Sequence, residues 1–134
     1  MIPSIVPSNV KPIGKDRNER LWPARKALDE NENFEYGNAK LGDEFYELGL
    51  LTKQERFVAV DRAFSQIKPE ERCGPNPPGN ISFHPYSGRT LFAFKWNCAD
   101  FNAVMYLKFC LTGTTGENIL VLYSFHKSRP KNDE

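Results

Sequence analysis

The chain has 134 residues, enough for one domain with a buried core and too few for two. Hydrophobic residues at 40% and charged residues at 26% are ordinary for a soluble globular protein, and no stretch reaches the ~18–20 apolar residues of a membrane span. The formal charge is +1, split into 12 Lys/Arg with 13 Asp/Glu through residue 80 (−1) and six with four beyond it (+2), so an RNA site would have to rest on a local basic patch.

MIPSIVPSNVKPIG has no basic segment followed by an apolar run, so no signal peptide is expected. Residues 1–15, with three prolines and a glycine, read as an extended arm or linker ahead of a single domain over 16–134. Cys73, Cys98 and Cys110 are odd in number and lack C-x-x-C spacing. That argues against a disulfide framework and against zinc, and makes a reducing cytoplasm the default.

Residues 17–30 suit a helix, with Pro23 in an early turn and Ala24, Ala27 and Leu28 on one side. The charged NENFEYG segment breaks it. Asn38 is the expected cap of a short helix, AKLGDEFYEL, with Leu41, Phe45 and Leu48 at helical spacing and Gly49 at its left-handed end. Thr52 and Glu55 then form a capping box. Behind it Phe57, Val60, Phe64 and Ile67 make a core stripe that Pro69 ends.

CGPNPPGN (73–80) is a loop. Three strand-like runs follow: TLFAFKW (90–96), AVMYLKFCL (103–111) and NILVLYSFH (118–126), joined by the turn-rich links NCADFN and TGTTGE. The expected fold is α+β: N-terminal helices on one face of a C-terminal antiparallel sheet of three or four strands.

Side chains alternate faces along a strand. A turn centred near Thr115 pairs odd with odd positions. That gives an apolar face of Met105, Leu107, Phe109 and Leu111 beside Ile119, Val121, Tyr123 and Phe125. Val104, Tyr106, Lys108 and Cys110 then share the other face with Leu120, Leu122, Ser124 and His126. Placing Phe92, Phe94 and Trp96 in the core sends Arg89, Leu91, Ala93 and Lys95 to that second face, so Arg89, Lys95, Tyr106, Lys108, Ser124 and His126 are expected to converge toward one end of it. A one-residue slip would bury Lys95 and Lys108 without partners.

This set suits metal-free RNA cleavage. A histidine can serve as acid or base, which makes His126 a candidate for either role. The Tyr106 phenol can exchange a proton beside a cation. Lys95, Lys108 and Arg89 can hold a phosphate. His84, in the loop before the first strand, is a further candidate for the same end, and Lys127 and Arg129 form a short basic tail. Against this stands the ordinary solvated face of an antiparallel sheet, where Lys, Tyr, Ser and His are common. Cys110 has no activating partner and reads as an inert thiol. Phe101 and Trp96 could stack a base, although core packing suits them better.

MYLKF (105–109), a hairpin, and ILVLYSFHKS (119–128) resemble the end of the motility quorum-sensing regulator toxins, and the closing Phe with basic residues resembles RelE-like and HigB-like messenger-RNA interferases. YELGL (46–50), an amphipathic helix and a tryptophan-bearing strand are similar to the same layout, so the resemblance spans residues 40–128 in order of elements. It implies the helix-on-sheet fold shared with barnase and colicin-type nucleases, activity on messenger or transfer RNA without a cofactor, and a cognate antitoxin or immunity protein. Tyr106 falls on the family's strand tyrosine, and His126 on its terminal basic position. The family's Phe-Tyr-Lys-Ser segment has only Ser82-Phe83-His84 nearby, which puts that lysine's role in doubt, and its Trp-Gln pair is at best Trp96-Asn97. The rival expectation is a non-enzymatic immunity or antitoxin-type protein that uses the same sheet face.

Overall fold

The fold is seen in a computed structural model that describes residues 21–75, 78–113 and 119–129. The proposed arm over 1–15 and most of the TGTTGE turn lie outside them. Helix α1 is Leu21–Asn31, strand β1 Glu35–Tyr36, helix α2 Leu41–Glu47 and helix α3 Lys53–Gln66. A short 3-10 turn, Pro69–Glu71, leads into β2, Arg72–Cys73, followed by β3 (Phe92–Cys98), β4 (Ala103–Thr112) and β5 (Ile119–Lys127).

Helix α3 begins where the capping box places it. The Thr52 hydroxyl accepts the Glu55 N–H at 3.1 Å, and the Glu55 carboxylate accepts the Thr52 N–H at 3.0 Å. The Thr52 N–H and the Leu51 N–H, both donating to the Glu55 carboxylate, hold it below its usual range. Val60, Phe64 and Ile67 of its stripe are buried, and Phe57 packs half-buried beside them. Arg25 of α1 donates to the carbonyls of Phe64 and Ile67 at 2.6 and 2.8 Å, satisfying acceptors at the end of α3. Helix α2 starts later than expected. Lys40 is its N-cap without a side-chain bond, while Asn38 Oδ1 accepts the Lys40 N–H in a tight turn before it. Gly49 takes the expected left-handed conformation at φ +80°.

The sheet has five strands among the described residues, in the order β1-β5-β4-β3-β2. It is not purely antiparallel: β1 runs parallel to β5, pairing Glu35 with Val121 and Tyr36 with Leu122. Two-residue strands such as β1 and β2 show no alternation, so their sequences carry no strand signal. Helices α1, α2 and α3 pack with the β3–β5 core residues in one apolar cluster, built around Phe45, Phe64, Phe94, Phe109 and Phe125. No helix among the described residues is long and apolar enough to cross a membrane.

The pairing of β4 with β5 breaks the strict alternation expected along β5. Tyr106 pairs with His126, Leu107 with Phe125 and Lys108 with Ser124, but Phe109 pairs with Leu122 and Cys110 with Val121. Tyr123 is therefore an extra residue in β5, a β-bulge, and it reverses the parity of the strand beyond it. Leu120 and Leu122, expected on the polar face, lie in the core. Val121 and Tyr123, expected on the helix-facing side, are turned from it: Val121, fully buried, shares Cys110's side, and the Tyr123 ring lies against Tyr86 and beside Gly37. A Cβ at Gly37 would run into that ring.

Phe109 touches Phe64, Phe92 and Phe94 with ring centroids at 5.2, 5.7 and 6.1 Å. Phe109→Ala is expected to cost about 3–5 kcal/mol, and Thr52→Ala at the α3 cap about 1 kcal/mol. Urea unfolding followed by circular dichroism checks both sizes and their order.

Candidate functional site

The face of the sheet opposite the helices carries two groups of polar side chains. The first lies where β3, β4 and β5 are in uninterrupted register. Lys95 pairs with Tyr106, and Tyr106 with His126. The Tyr106 and His126 rings stack at 5.2 Å between centroids with planes 29° apart. Lys108 Nζ stands 6.0 Å from the centre of the Tyr106 ring, at the outer reach of a cation–π contact. Ser124 is the direct partner of Lys108. Five of the expected residues, Lys95, Tyr106, Lys108, Ser124 and His126, thus come together.

The pair is largely enclosed, with Tyr106 6% and His126 7% exposed. His126 Nδ1 lies 2.7 Å from the Lys127 carbonyl oxygen. A carbonyl can only accept, so Nδ1 donates and the neutral ring carries its lone pair on Nε2. His126 also lines a surface cavity of about 280 Å³ with Glu44, Glu47, Leu48, Lys127, Ser128 and Arg129. Glu44 holds that cavity together: Oε1 accepts the Phe125 N–H at 2.9 Å, and Oε2 lies 3.8 Å from the Arg129 guanidinium. Glu44 and Phe125 are 81 residues apart, and no local pattern announces the contact.

Other expected members fall elsewhere. Lys127 pairs with the core residue Met105, so alternation turns it away from His126's face, and it is exposed. Arg129 reaches the cavity but is paired with Glu44. Arg89 does not join Lys95. It precedes β3 by three residues, outside the strand and six residues from Lys95 in the chain. There its charge acts on the Cys110 thiol. His84 is exposed in the loop that the Gly88 N–H closes onto the Ile81 carbonyl, at that same far end. Trp96 and Phe101 pack into or against the core beside Phe125.

The second group joins residues that no sequence pattern links. The Tyr86 hydroxyl donates to Glu35 Oε1 at 2.6 Å, and its ring stands edge-on to Tyr123 at 6.4 Å. The hydrogen bond to Glu35, with burial added, pushes the Tyr86 phenol up to about 12. Burial raises Tyr123 as well, and it pushes the Cys110 thiol up to about 11, which leaves that thiol inert at neutral pH.

No protein-family model matches the chain, and neither a curated protein nor a solved structure is significantly similar to it. The fold and site define an α+β protein with helices on one sheet face and a Tyr–His–Lys cluster on the other.

The Tyr86–Glu35 bond has a pH signature. A phenol raised above its unfolded value near 10 binds its proton more tightly when folded, so its contribution is complete below pH 10 and is lost between about 10 and 12. Ultraviolet titration is expected to show a tyrosine ionising near pH 12 that is absent from Tyr86→Phe.

Proposed function

We propose that the chain is a metal-independent endoribonuclease toxin that cleaves messenger or transfer RNA in the cytoplasm and is held in check by a cognate antitoxin or immunity protein. One observation carries this: the Tyr106 phenol and His126 imidazole stack on adjacent strands, flanked by Lys95 and Lys108 on the same face.

In the proposed reaction His126 Nε2 takes the proton of a ribose 2′-OH, whose oxygen attacks the neighbouring phosphorus. The bond from phosphorus to the 5′-oxygen breaks, and the leaving oxygen takes a proton from Tyr106. Lys95 and Lys108 hold the non-bridging oxygens as negative charge builds on them. The products are a 2′,3′-cyclic phosphate and a 5′-hydroxyl. His126 lines the cavity through which a strand would approach, and Tyr106 stacks on its ring. The resemblance of MYLKF and ILVLYSFHKS to small ribonuclease toxins supports the same two residues.

A non-enzymatic immunity or antitoxin-type binding protein has specific observations in its favour. Glu44 and Glu47 border the His126 cavity and repel phosphate. An apolar groove of about 410 Å³ lies between Leu50, Val58, Ala59 and Phe101, with Leu51 exposed nearby.

Purified protein incubated with total RNA and a chelator is expected to yield fragments ending in 2′,3′-cyclic phosphate. His126→Ala and Tyr106→Phe should each slow cleavage by about 10²–10⁴-fold with an unchanged circular dichroism spectrum. Undiminished cleavage by both variants rules out the assignment. Uneventful expression of the wild type, with intact RNA and a co-purifying toxin, favours the binding protein instead.

A further inference from the structure

Strand β1 borders a further cavity, of about 520 Å³, lined by Asn33, Phe34, Glu35, Tyr36, Lys53, Arg56 and Tyr86. Its walls combine three features that the cleavage chemistry does not use. The first is aromatic: Phe34 and Tyr36 stack at 5.6 Å with planes 10° apart, Tyr36 is 43% exposed, and Tyr86 contributes a third ring. The second is cationic. Arg56 is fixed by donating to the Leu50 carbonyl at 2.8 Å and to the Tyr36 hydroxyl at 3.1 Å, and its guanidinium lies over the Phe45 ring. Lys53 is exposed, and among the described residues its ammonium makes no ion pair or hydrogen bond. The third is a single carboxylate, Glu35, held in place by Tyr86.

We propose that this notch binds a nucleoside monophosphate unit, taken as a residue of the RNA chain; naming RNA as its source rests on the proposed ribonuclease activity. Lys53 and Arg56 provide two positive charges for one phosphate, the second from a rigid fork. An exposed tyrosine ring offers a face for a base to stack on. Glu35 accepts from a base amino group or a ribose hydroxyl. The volume lies within the ~300–1,000 Å³ of small-ligand sites. Two cations against one carboxylate make this a locally positive site in a chain of net charge +1. An acidic peptide would satisfy the cations but would bring its charge against Glu35 and leave the rings without a flat partner. The notch and the cleavage pair sit along the same strand: Glu35 pairs with Val121, five residues before His126 on β5, so roughly 15 Å of strand separates the two, a span that a short oligonucleotide covers.

The test is calorimetric titration of the wild type and of Lys53→Glu with 5′-mononucleotides, inorganic phosphate, a 2′-O-methyl oligoribonucleotide that cannot form the cyclic product, and an Asp/Glu-rich peptide. Lys53 is an exposed helix residue, so its substitution leaves the core intact. The expected result is that mononucleotides bind the wild type at least tenfold tighter than phosphate and that Lys53→Glu weakens them about tenfold or more. An oligonucleotide that binds more tightly still, with the same dependence on Lys53, identifies an RNA subsite, whereas equal affinity identifies a free-nucleotide site. Nucleotides binding no better than phosphate, a Lys53→Glu variant of unchanged affinity, or peptide binding alone overturns the proposal. Its failure is separable from that of the nuclease. Nucleotide binding with uncleaved RNA removes the enzyme and leaves the notch, whereas cleavage indifferent to Lys53 with no nucleotide binding removes only the notch.

Discussion

The bulge at Tyr123 is the constraint on which the arrangement of this sheet depends. Strand β5 must meet the core twice, through Phe125 near its end and through Leu120 and Leu122 near its start. Strict alternation cannot do both, because Leu120 and Leu122 are even and Phe125 is odd. One inserted residue resolves the conflict. It lets ILVLYSF put three large apolar side chains on the helices while His126 and Ser124 stay on the other face with Tyr106 and Lys108. Straightening the strand would send two leucines to the polar face and bring Tyr123 and Val121 into the core. The Tyr123 ring, already packed on Tyr86 and against Gly37, opposes that change.

The parts legible in the sequence are those governed by local rules. The capping box of α3 is two reciprocal hydrogen bonds within four residues, and its stripe is a period, so both could be read directly. The face assignment of β3 followed from Phe92, Phe94 and Trp96 having to be buried, and it placed Lys95 beside Tyr106 correctly. Parity also held between Tyr106–Lys108 of β4 and Ser124–His126 of β5. It failed beyond Tyr123 because a bulge leaves no mark on composition, and a Leu-Val-Leu-Tyr run reads as apolar on either face.

The less legible parts are long-range contacts made by ordinary surface residues. Glu35, Glu44 and Tyr86 look like solvated side chains in charged or loop segments, yet each is tied to a partner 51 or 81 residues away. Arg89 was misplaced for a related reason. Parity fixes the face of a residue, not its height on that face, and Arg89 stands at the Cys110 end while the Tyr–His pair stands at the other.

Glu44 shows how the edge of the sheet and the cluster depend on each other. Strand β1 pairs with β5 at Val121 and Leu122, and among the described residues no strand continues that side of β5 to Phe125. An unpaired N–H there would be both an energetic cost and an invitation to another strand. The Glu44 carboxylate accepts it, and its second oxygen is balanced by Arg129 just past the end of the same strand. The acidic side chain that looks out of place beside the proposed phosphate site is thus what fixes the residue before His126. Arg129 offsets the negative charge of Glu44, so the local charge around His126 reflects how the strand edge is closed.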